Sequence, residues 1–193
     1  MPALTIGLTG GIAAGKSEAL AALDRLGAAT LSSDAVVHEL LDSEPLLSRL
    51  AERWGPEVAP AGSVDRGRIG AIVFADPDEL GWLETQVHPL VGERIGAWLG
   101  SLAPEVRFAV VEVPLLFESG MEGAFDTTVA IVAGDDDRRD RAAARGQALV
   151  DEREARQLPQ DDKAGRADHV VVNDGTIEDL ERNLSALLAK LDR

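Results

Sequence analysis

From Gly10 to Ser17 the sequence reads GGIAAGKS, which satisfies the spacing Gly-x-x-x-x-Gly-Lys-Ser directly after an apolar run. Glycines let a backbone wrap an oxyanion with several N–H groups turned inward, and a helix opening at the lysine adds partial positive charge. In such a loop Lys16 reaches the β and γ phosphates of a nucleotide and Ser17 can ligate magnesium. Gly10, Gly11, Ile12, Ala13, Ala14, Gly15, Lys16, Ser17 and Glu18 are therefore the candidate nucleotide-binding set, with Lys16 also acting on the transferring group. Glu18 is the odd member, because a carboxylate beside a phosphate weakens binding unless it turns away. The loop specifies a nucleotide and not a reaction. No Asn-Lys-x-Asp guanine-reading motif and no ABC-type signature occurs in the chain, which leaves a kinase that passes a phosphoryl group to a small acceptor.

Transfer to a hydroxyl needs a carboxylate to take the proton. Asp34, in LSSDAVV just past the second apolar run, is the candidate base; the same residue could instead cap the helix that carries Val36, Val37, Leu40 and Leu41. Glu112, in VVEVPLLFESG, could orient a magnesium-bound water or be a half-buried acid at a strand edge. His88 stands before Pro89, either near the acceptor or as a structural imidazole. Arg138, Arg139, Arg141 and Arg145, followed by Arg153, are clustered in an otherwise acidic chain. Guanidinium groups suit phosphate because they stay charged and bind it as a fork, although Asp140, Asp151, Glu152 and Glu154 could pair with them on a solvated helix face.

These residues need a scaffold. Leu4 to Leu8, Ala28 to Leu31, Phe108 to Val113, Thr127 to Val132 and His169 to Val172 read as buried strands. Lys16 to Leu26 places Ala19, Leu20, Leu23 and Leu26 on one helical face, so the chain opens as strand, loop, helix, strand. Continuous apolar strands alternating with helices predict a parallel sheet covered on both faces, with ligands at the carboxyl ends of its strands. The stretch from Ser32 to Arg107 is too long for a plain crossover and reads as an inserted helical substrate region. Within it Asp76, Pro77 and Glu79 predict a capping box opening a helix through Leu80 and Leu83, and a second helix is expected from Pro89 to about Leu102. Asp135 to Arg166 is strongly charged with few large apolar groups, which suits a mobile flap. Leu180, Leu184, Leu187, Leu188 and Leu191 share a face of a closing amphipathic helix.

Composition bounds the partners. The 193 residues carry 19 basic and 34 acidic side chains, a formal charge of −15, which repels nucleic acid and anionic membranes. With no cysteine and three scattered histidines, neither disulfides nor a zinc centre are expected. No apolar run approaches the roughly 18 residues that span a bilayer, and the N-terminus does not read as a cleaved signal. A cytoplasmic protein acting on a small molecule, as a monomer or weak oligomer, is the expectation.

The segments GLTGGIAAGKS, SSDAVVHELL, DRGRIGAIVF, HPLV, VEVPLLFESGM, RDRAAARG and LPQDDKAGRADHVVVNDGTIEDL, in this order across nearly the whole chain, resemble the dephospho-CoA kinase family. The resemblance implies ATP-dependent phosphorylation of the ribose 3′-hydroxyl of dephospho-CoA, the last step of coenzyme A synthesis, with ATP and Mg2+ bound. It implies an α/β P-loop kinase fold with a five-stranded parallel sheet: residues 1–34, 107–134 and 167–193 as core, 35–106 as helical CoA-binding insertion, and 135–166 as lid. By the same match Gly10 to Glu18 bind ATP, Asp34 is the base, and His88, Pro114, Leu115 and Glu118 lie on the acceptor side. Ser17 and Glu112 serve the metal. Arg138, Arg141 and Arg145 correspond to lid residues, Arg141 in a catalytic role. Arg153, Gln157 and Lys163 fit later family positions, and Asn173 and Gly175 match a turn close to the adenine. The chain departs from the family pattern at Ser32, where an aspartate two residues before Asp34 is usual, at Glu18, where threonine is common, and in a shorter stretch between Arg145 and Arg153. Two other readings follow from the residues: a P-loop kinase with a different acceptor, such as a nucleoside monophosphate or a sugar, and a nucleotide-binding module without catalysis.

Overall fold

The computed structural model describes residues 2–144 and 157–192, so Arg145 and Arg153 lie outside the described residues. The backbone divides into two compact units, Met1–Ser32 with Leu102–Arg193, and Ser33–Ser101.

The first unit is built on five strands, β1 (Leu4–Gly10), β2 (Ala29–Ser32), β3 (Phe108–Glu112), β4 (Thr127–Val132) and β5 (His169–Val172), all parallel in the order β2-β3-β1-β4-β5. The apolar runs are continuous because β1, β3 and β4 are covered on both faces. On one face Ile6, Leu8, Val129 and Ile131 meet helix α1 (Lys16–Arg25) through Ala19, Ala22 and Leu23. The last helix, α8 (Ile177–Leu191), presents Leu180, Leu184 and Leu188 to the same core, the leucine face predicted for it. On the other face Gly7 has no room for a side chain: a Cβ there would stand 2.8 Å from Phe125 and 3.2 Å from Leu116. β1 runs two residues beyond the expected Leu8 because Thr9 and Gly10 pair with Ala130 and Ile131. Among the described residues this unit also holds two short helices, α6 (Asp135–Ala144) after β4 and α7 (Gln160–Arg166) before β5.

The second unit is helical, with α2 (Ser33–Leu41), α3 (Glu44–Trp54), two 3-10 turns, α4 (Arg66–Ala75) and α5 (Pro77–Gly100). The two helices expected around His88 are one helix of 24 residues with Pro89 inside it. A proline in a helix interior costs about 3 kcal/mol and one hydrogen bond. Val87, Val91 and Ile95, buried on one face spanning the proline, hold the helix continuous. Asp76 caps α5 as expected, accepting from the Asp78 N–H at 2.9 Å, but the capping box is not formed. Glu79 turns instead to Arg53, which donates to it in a fork at 2.8 and 3.0 Å, and to the Trp54 indole at 2.8 Å. A two-point charge-assisted pair is stronger than a return bond to one backbone N–H.

Candidate active site

β1 delivers the chain to the phosphate loop at its carboxyl end, and α1 receives it at Lys16. The loop makes tight approaches. At Gly10 a Cβ would stand 2.3 Å from the Ile131 carbonyl oxygen of the neighbouring strand. Gly15, the N-cap of α1, has φ 95°, in the left-handed region, and a Cβ there would meet the Asn173 side-chain nitrogen at 2.1 Å. Ala13 also takes a positive φ, 58°, which costs a non-glycine residue of order 1 kcal/mol. Such strain persists where the surroundings impose it.

Those surroundings are visible. The Asn173 amide, buried, donates to the Ala14 carbonyl at 2.8 Å. Arg141 donates to the Asn173 carbonyl at 3.1 Å and to the Ala14 carbonyl at 3.5 Å. Arg138 donates to the Ile12 carbonyl at 3.0 Å and pairs with Asp135. The Lys16 ammonium donates to the Gly10 and Gly11 carbonyls at 3.1 and 2.9 Å. Lysine and arginine thus bind the outward carbonyls of the loop, which leaves the helix N-terminus as its electropositive side. Arg139 is not among them: it is exposed and pairs with Asp136.

Glu18 is accounted for by its partner. Its carboxylate pairs with Arg25 at 3.1 Å, two turns along α1, and Arg25 also pairs with Glu181 at 3.3 Å. Ser17 is exposed in the first turn, whereas Glu112 is buried at the end of β3, in register with Leu8 and with Ser32. Ser32 therefore lies beside an existing acid. After β3 the turn bearing Pro114, Leu115 and Glu118 is tied to α7. Lys163, with no exposed surface, donates to the Pro114 carbonyl at 2.5 Å and pairs with Glu118 at 3.0 Å. Burial pulls the Lys163 ammonium below its usual range, and Glu118 opposes that shift.

Gln160 was assigned no role by sequence. Its amide donates to the Ala133 carbonyl and accepts from the Ala133 N–H, both at 3.0 Å, and it packs against Gly11. With Gly11, Ile12, Arg138, Gln157 and Leu158 it lines a cleft of about 160 Å³ beside the loop. A glutamine following a proline carries no local signal for this task, which only the fold creates. Gly175 leaves room for the Asp179 carboxylate, 2.8 Å from where a Cβ would be. In the helical unit, Asp34 is the second residue of α2 and exposed, and His88 is exposed on α5, the helix against which α2 packs.

A family model described as dephospho-CoA kinase matches residues 4–179. A dephospho-CoA kinase of Synechococcus sp. (strain CC9902) is 39% identical, covering 97% of this chain and 96% of its own. That of Anaeromyxobacter dehalogenans (strain 2CP-C) is 41% identical over 96% of this chain and 91% of its own. The crystal structure of TT1252 from Thermus thermophilus superposes with a TM-score of 0.84 at 37% identity, covering 99% of both chains. With a match that runs from the first residue of β1 into the first turn of α8, this chain belongs to the dephospho-CoA kinase family.

Proposed function

We propose that this protein transfers the γ-phosphoryl group of ATP to the ribose 3′-hydroxyl of dephospho-CoA, giving coenzyme A and ADP. The observation that carries the reading is the braced phosphate loop, with Lys16 at the head of α1, in a chain of this family over nearly its whole length. In the reaction the 3′-oxygen bonds to the γ-phosphorus while the bond from that phosphorus to the β–γ bridging oxygen breaks. The hydroxyl proton goes to Asp34, which follows the carboxyl end of β2 by two residues. Lys16 and Arg141, with Arg145, stabilise charge on the phosphates, and loop N–H groups from Gly10 to Glu18 hold them. Asn173 and Gly175 border the nucleotide, and His88, Pro114 and Leu115 serve the acceptor, with Glu118 holding the turn of Pro114 and Leu115 in place. Of residues 135–166, expected as a mobile flap, α7 is instead fixed to that turn by buried Lys163, so the lid is the part before α7.

Among the described residues no group of three or more acids or histidines could hold a metal by itself. Mg2+ bound mainly through phosphates would take the Ser17 hydroxyl as its protein ligand, with Glu112 orienting its water. When bound, the ion would neutralise phosphate charge. No helix among the described residues is long and apolar enough to cross a membrane, and we place the enzyme in the cytoplasm, as a monomer or weak oligomer that does not engage nucleic acid. The test is incubation with ATP and dephospho-CoA, reading ADP release together with 3′-phosphorylated product. ADP without that product, or product only from a nucleoside monophosphate or sugar, would overturn the assignment.

A further inference from the structure

The ion pair between Glu118 and Lys163 is expensive for what it contributes to stability. Glu118 Oε1 takes the Lys163 ammonium and the Leu158 N–H at 2.8 Å, while Oε2 is buried without a hydrogen-bond partner among the described residues. A buried pair left half satisfied is commonly matched or bettered by apolar side chains of similar volume. What the pair does fix is position. The Pro114 carbonyl that accepts from Lys163 also accepts from the Thr9 hydroxyl at 3.3 Å, one residue before the phosphate loop. Three residues before Lys163 on α7, Gln160 clamps both polar groups of Ala133 and lies under Gly11, where a Cβ would be 3.1 Å from it. One buried cation therefore joins the turn after β3 to the helix that supports the loop.

We propose that Glu118 and Lys163 are positioning residues for phosphoryl transfer: they seat α7, and through Gln160 the Gly11 end of the phosphate loop, against the turn after β3. This rests on the loop holding the nucleotide for transfer. Glu118→Gln and Lys163→Met each strand one member of the pair and lower both Tm and kcat/KM for ATP. The double variant carries no unpaired buried charge, so its Tm recovers most of the loss, yet kcat/KM stays about 10²-fold below the parent because the loop is displaced. Gln160→Leu, which leaves the pair intact, reproduces that kinetic loss, and it decides the matter alone if the double variant does not fold. A double variant whose kcat/KM returns along with its Tm, or Gln160→Leu with parental kinetics, overturns the proposal. Lys16→Ala in the same assay separates the two levels. Retained transfer there removes the loop assignment itself, whereas abolished transfer alongside parental Gln160→Leu removes only the positioning role.

Discussion

Gly15 meets two separate demands, a left-handed backbone and the absence of a side chain beneath the Asn173 amide. Gly15→Ala is expected to lower stability by at least the 1–2 kcal/mol that the backbone alone costs, with a larger loss of nucleotide affinity as the Asn173 to Ala14 bond breaks. Adding Asn173→Ala removes the collision and leaves the backbone cost, so Tm should recover in part while affinity does not. Parental ATP affinity for Gly15→Ala, measured by titration, would mean that Asn173 does not brace the loop, whereas a parental Tm would mean that the backbone at this position carries no strain. Asp34 poses a different question. It lies inside the first turn of an already formed helix and is exposed, so asparagine is tolerated there structurally but cannot take a proton. Asp34→Asn should cut kcat by about 10²–10⁴-fold, roughly 3–5 kcal/mol of barrier, with little change in Tm. A loss below about tenfold at saturating substrates would return Asp34 to the helix.

Among the elements, α8 shows most directly how a few side chains set a boundary. Thr176 and Asp179 form a reciprocal capping box, and Asp179 also accepts from Arg182 at 2.7 Å. The Thr176 backbone N–H, then Arg182, then the Thr176 hydroxyl lower the Asp179 pKa from 3.8 to about 2. The folded value lies below the unfolded one, so the stabilisation is complete above pH 3.8 and is lost as pH falls toward 2. Asp126, held by the Thr5 N–H and hydroxyl, and Asp168, held by the Thr128 hydroxyl and N–H, are shifted in the same direction. Tm should therefore drop through that acidic window, and Asp179→Asn should flatten the drop; an unchanged slope would remove α8 from the account. The box expected at Asp76 does not form because Glu79 has a better partner 26 residues away in Arg53, whereas the same spacing at Thr176, for which no box was expected, forms one. Strands, the phosphate loop and the leucine face of α8 follow from local pattern. The unbroken α5 does not, because it depends on burial either side of Pro89, and neither does Gln160, whose partners lie in a strand end and a loop remote in sequence.

At the scale of the whole molecule, 34 acids against 19 bases leave a surplus that repels itself in the folded state. Exposed pairs such as Arg25 with Glu18 and Glu181 act against this, but isolated surface pairs contribute little. Raising NaCl from about 0.02 M to about 0.3 M should then raise Tm, as screening relieves the repulsion. A falling Tm would give the larger weight to the ion pairs. The strand order has a consequence for synthesis. β1, at the centre of the sheet, pairs only with β3, which begins at Phe108, and with β4, which ends at Val132. At about 5–20 residues per second the ribosome takes roughly 6–25 s to get from the end of β1 to the end of β4. Until β3 is complete at Glu112 this apolar strand has no native neighbour, and one of its edges stays open until β4 follows, which makes the nascent chain a client for chaperones that shield extended hydrophobic segments.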